Sequence, residues 1–119
     1  MRRSTEVGVA DSSTGVSVVV TTTPDAGSAE LLGRRLVDER LAACASVIPG
    51  VTSIYRWEGA IRQEGEVVML LKTTSGAVGA LRDRLLELHP YDVPEVVALP
   101  VEAGHDAYLD WVRQQVGAG

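Results

Sequence analysis

Two extended runs dominate the chain: CASVIPGVTSIYRWEG from Cys44 and IRQEGEVVMLLKTT from Ile61. They meet at Gly59-Ala60, where a glycine can take the positive φ of a tight turn, so together they read as one antiparallel hairpin. Strands of about 14 residues rising roughly 3.3 Å per residue reach about 45 Å, well beyond the usual five or six residues. Pro49-Gly50 interrupts the first run, and because proline cannot donate to a ladder, a bulge or bend belongs there. A chain of 119 residues can build one core around such a ribbon but not two.

The remaining pattern tells what flanks the hairpin. Residues 1–15 are small and polar and read as a flexible tail ahead of a single domain over 16–119. Val16 to Thr23 is a β-branched run ended by Pro24, a buried strand. Asp25 or Ser28 can cap the next helix, whose Ala29, Leu32, Gly33, Leu36 and Val37 form one apolar stripe. After the hairpin, Val78, Leu81, Leu85 and Leu88 repeat at helical spacing, and that helix must stop before Pro90. HPYDVPE connects it to a last strand over Val96–Val101, and Tyr108, Leu109, Trp111, Val112 and Val116 mark a terminal helix.

The order is β-α-β-β-α-β with an extra C-terminal helix. This is an α+β chain, and the pattern is that of a ferredoxin-like βαββαβ sandwich, with both crossover helices on one face of a four-stranded antiparallel sheet. The other sheet face is then bare. Two short helices cannot cover so long a hairpin, and a monomer would expose apolar surface and unpaired strand edges. The sequence therefore predicts an oligomer closed through its sheets.

Composition removes several functions. Net charge is −5, from 11 basic and 16 acidic residues, and no Lys/Arg cluster offers a phosphate footprint, so nucleic acid is not an expected partner. No apolar run approaches the roughly 18 residues that span a bilayer, and MRRSTEVGVADSSTG lacks the apolar block of a secretory signal. No membrane association is expected, and the expected location is cytoplasmic. Catalytic templates such as GxSxG, HExxH and the Walker loop are missing, which points to a binding protein rather than an enzyme.

Metal-ligating residues are few: Cys44, His89, His105 and two methionines, with no CxxC or HxxxH. A closed structural zinc site does not follow from that inventory. A looser site, shared between subunits and suited to copper through imidazole and soft sulfur, stays open. Cys44 also reads as a small core residue, and His89 as a helix C-terminal residue meeting the last carbonyls. All five aromatic residues, Tyr55, Trp57, Tyr91, Tyr108 and Trp111, lie after residue 54. Ser53, Tyr55 and Trp57 share one strand face, and such side chains suit either a subunit interface or a pocket built at one. Lys72, the only lysine, ends an apolar strand. It reads as a solvated strand end, or as an anion site or the partner of a carboxylate such as Glu66 or Glu95.

LAACASVIPGVTSIYRWEGAI, EVVMLLKTT, HPYDVPEVVALPV and YLDWV together resemble the CutA family of divalent-cation tolerance proteins, over roughly residues 16–116. The resemblance implies a ferredoxin-like subunit in a PII-like homotrimer, with divalent metal ions, copper above all, as ligands and metal tolerance as the role. It places the family's metal-ligand candidates at Cys44 and His89. Tyr55, Trp57, Lys72, Tyr91, Glu95, Tyr108 and Trp111 resemble an intersubunit cleft. A second expectation is a PII-like sensor or adaptor holding a small anionic ligand or a partner segment in that cleft.

Overall fold

The computed structural model describes residues 13–117. Strand β1 (Val16–Thr23) leads into helix α1 (Ala26–Asp38), then β2 (Cys44–Trp57) and β3 (Ala60–Thr74), helix α2 (Val78–Leu88), β4 (Val97–Pro100) and helix α3 (Asp106–Gln115). The sheet order is β2-β3-β1-β4, and every pairing is antiparallel. Of the expected tail, residues 1–12 lie outside the described residues. Its last stretch is tied down: Ser13 Oγ donates to Glu102 O at 2.8 Å and Thr14 Oγ1 to Val101 O at 2.6 Å.

The hairpin is as long as its sequence demands, 14 and 15 residues per strand. Its turn falls one residue earlier than expected, at Glu58-Gly59, because Trp57 pairs with Ala60. Both turn residues have positive φ, 51° and 80°, the pattern of the two-residue turn whose twist matches a hairpin. The Pro49-Gly50 bulge is present. The register slips between Ile48 and Val51, with Gly50 at φ 81°.

Alternation along the strands decides what each sheet face meets. Val19, Val67, Met69 and Leu71 pack with Leu32 and Leu36 of α1 and Leu81 and Leu85 of α2 in the main core. Each fully buried leucine there contributes about 1.5–3 kcal/mol over exposure. Asp25 caps α1, its Oδ1 accepting from Ser28 N–H at 2.7 Å. Gly33 lets α1 approach β2, since a Cβ there would stand 3.0 Å from Ala45 Cβ. Arg84 of α2 donates twice to Glu39, at 2.9 Å each, tying the end of α1 to α2. A short 3-10 turn at Ser75–Ala77 precedes α2, and β4 is shorter at both ends than its apolar run.

The opposite face is not wholly bare, as the sequence reading had it. Leu109 and Val112 of α3 pack on Val16 and Ala43, so α3 covers one end. Beyond it the face stays open. Val18, Val20, Val68 and Leu70 are half-buried, and Ile48, Val97 and Leu99 are 44%, 47% and 52% exposed. These residues are contiguous, because Val18 pairs with Leu99, Val20 with Val97 and Leu70, and Val68 with Ile48.

Candidate functional site

The side chains singled out from the sequence form two groups, at opposite ends of the open sheet face. Register decides this. Tyr55 and Trp57 pair with Arg62 and Ala60, so they stand on the same hairpin face as Glu64 and Glu66. Pro90 ends α2 and turns the connector back toward the hairpin, bringing Tyr91 Oη to Glu66 Oε2 at 2.7 Å. Tyr55 Oη donates to Glu64 Oε1 at 2.8 Å. Between hairpin and connector lies a cavity of about 480 Å³, walled by Tyr55, Trp57, Glu64, Glu66, Tyr91, Asp92 and Glu95 among others.

Both phenols are held protonated. Burial, then the hydrogen bond to Glu66, pushes Tyr91 well above the ordinary phenol value. Tyr55 is raised chiefly by its bond to Glu64. Glu64 and Asp92 are not among the site residues expected from the sequence, although Asp92 lies in the HPYDVPE connector and Glu64, two positions before Glu66 and opposite Ser53, shares its face by strand period.

The second group sits beside α3. Lys72 and Cys44 are register partners, Lys72 Nζ donates to Ser46 Oγ at 2.8 Å, and Cys44 Sγ lies 3.6 Å from Tyr108 Oη. Tyr108 and Trp111 are neighbours, ring centroids 5.7 Å apart. Burial first, and the Cys44 contact second, push the Tyr108 phenol up to about 12. Lys72 and Glu66 are six residues apart along β3, about 20 Å. Of the alternatives for Lys72, the ion pair with Glu66 or Glu95 is not formed among the described residues, and the ammonium donates to Ser46.

Cys44 and His89 do not meet within one subunit. His89 Nε2–H donates to Thr22 O at 2.7 Å, and its Nδ1 accepts the Tyr91 N–H at 3.1 Å. Thr22 pairs with Val68 and Cys44 with Lys72, four residues or about 13 Å apart on β3. His89 is 8% exposed, with both ring nitrogens engaged in fixing the connector. Among the described residues no group of three or more His, Cys, Asp or Glu side chains converges as a metal centre. The described donors of a single subunit therefore do not make a closed site, and Cys44 is a free, half-buried thiol.

Residues 17–115 match the family described as CutA1 divalent ion tolerance protein. The chain belongs to that family. Among CutA relatives, the divalent-cation tolerance protein CutA of Thermus thermophilus is 48% identical over 100 residues, covering 84% of this chain and 97% of the relative. Human protein CutA is 50% identical over 99 residues, covering 83% of this chain and 55% of the human protein. The crystal structure of CutA from Xylella fastidiosa superposes with a TM-score of 0.84 at 43% identity, over 87% of this chain and 99% of the other. The four-stranded antiparallel sheet with three helices is thus the CutA1 fold. No helix of the described residues is long and apolar enough to cross a membrane.

Proposed function

We propose that this CutA1 member binds divalent metal ions, copper foremost, and contributes to metal tolerance as a homotrimer of ferredoxin-like subunits arranged as in PII-like proteins. It acts by binding rather than by catalysis. Membership of a divalent ion tolerance family supports the metal, and the observation that carries the assembly is the open sheet face. A contiguous apolar surface including Ile48, Val97 and Leu99, each 44–52% exposed, is what association buries. Cys44 stands on the same face, so a neighbouring subunit can complete a coordination shell that one chain leaves unfinished.

Calorimetric titration of wild type, Cys44→Ala and His89→Asn with Cu(II) tests the reading. Loss of binding in Cys44→Ala supports a sulfur-anchored site; equal weak binding in all three removes both residues from the account. A second reading, a PII-like sensor or adaptor with a ligand in the cleft, is favoured by the cavity of about 480 Å³, a size usual for small-molecule sites. Within one subunit Lys72 lies at the other end of the sheet from this cavity.

A further inference from the structure

We infer that the cavity between the hairpin and the connector takes an aliphatic organic cation bearing two ammonium groups. This rests on the reading that the cleft holds a small ligand, and it names that ligand's class. The cavity's walls give three independent reasons.

Charge comes first. Glu64 and Glu66 line the hairpin wall and Asp92 and Glu95 the connector wall, and among the described residues of one subunit no lysine or arginine lines the cavity. Among the described residues, none of these four carboxylates takes part in an ion pair. Arg62, the register partner of Tyr55, reaches toward Glu58 at the turn instead, at 3.9 Å. Four carboxylates around one space repel an anion and favour a cation.

The second reason is the aromatic wall. Tyr55 and Trp57 are 38% and 46% exposed, and Tyr91 is half-buried on the facing wall. Ring faces attract ammonium groups and also cover the methylenes between them. Because the Tyr55 and Tyr91 hydroxyls donate to Glu64 and Glu66, both phenols and carboxylates are held in place before a ligand arrives.

Size is the third. A bare metal ion needs oxygen ligands converging at about 2.0–2.6 Å. These carboxylates are spread around some 480 Å³ and form no such group. Carboxylates on two opposed walls instead suit a flexible chain with a cation at each end.

The test is calorimetry on the full-length protein with cadaverine, and with glutarate as the dianion of equal carbon number. Saturable cadaverine binding is expected, weakening with salt and falling about tenfold in Glu66→Gln, which keeps an acceptor for Tyr91 but removes the charge. Trp57→Ala weakens it as well, while Lys72→Ala leaves it unchanged. Glutarate binding that Trp57→Ala abolishes, without cadaverine binding, overturns the cation inference and leaves the cleft-ligand reading standing. No binding of either probe up to millimolar concentration overturns both. Cadaverine binding insensitive to Glu66→Gln and Trp57→Ala places the amine elsewhere and overturns the inference.

Discussion

Replacing His89 by alanine separates a structural histidine from a vacant metal ligand. The imidazole is 8% exposed and satisfies two backbone groups, Thr22 C=O and Tyr91 N–H. Leaving a buried backbone group without its partner costs about 1–3 kcal/mol. Two such groups, one of them able to recruit water, put the loss near 3 kcal/mol for His89→Ala. At this chain length that is a fall in Tm of about 12 °C. Partial replacements apportion the loss. Asparagine can offer Oδ1 to the N–H two residues on, as Nδ1 does, and glutamine can reach Thr22 as Nε2 does, so each is expected to restore roughly half of the stability. Urea and thermal unfolding at one fixed protein concentration make the measurement, since association shifts apparent stability. A loss below about 0.5 kcal/mol for the alanine variant would refute the reasoning.

Among the described residues Thr21 Oγ1 is buried without a hydrogen-bond partner, so Thr21→Val should stabilise the fold by about 1 kcal/mol in urea denaturation, and a loss would mean the hydroxyl has a partner. Gly33→Val drives side-chain atoms against Ala45 on β2 and should cost about 2 kcal/mol; unchanged stability would show slack between helix and sheet. Glu39, held down to about 2 from an ordinary 4.5 by its bonds to Arg84 and Arg35, stabilises the fold fully above pH 4.5 and loses that contribution as pH falls through 2. The Tm gap between wild type and Glu39→Gln should therefore close on acidification from pH 5 to about pH 2, and a gap constant across that window contradicts the linkage.

Local signals in the sequence carried much of the architecture. Pro49-Gly50 marked a real bulge, Asp25 a real cap, and Pro90 the end of α2, because each acts through its own backbone and needs no distant partner. Elements whose position depends on distant packing were harder to read. The apolar side of α3 is visible, but nothing local says that Leu109 and Val112 cover the sheet face opposite α1 and α2. The cleft residues were identified by type, and their division into two groups follows from strand register, which pairs Cys44 with Lys72 and puts Glu66 six residues away. Glu64 shares the face of Tyr55 and Glu66 by strand period alone, and moving the two-residue turn by one position changes its cross-strand partner from Tyr55 to Ser53 without changing its face. By local pattern His89 reads as a helix C-terminal residue or a ligand. Its bond to Thr22 joins residues 67 apart in sequence, which local pattern cannot supply.

The proposed homotrimer requires that further copies of the chain close the open sheet face. Light scattering coupled to size exclusion, at micromolar concentration, measures this directly. It should give about three times the 12.6 kDa of one chain, and Leu99→Glu on the exposed face should lower that mass. A monodisperse monomer of wild type under those conditions would contradict the account.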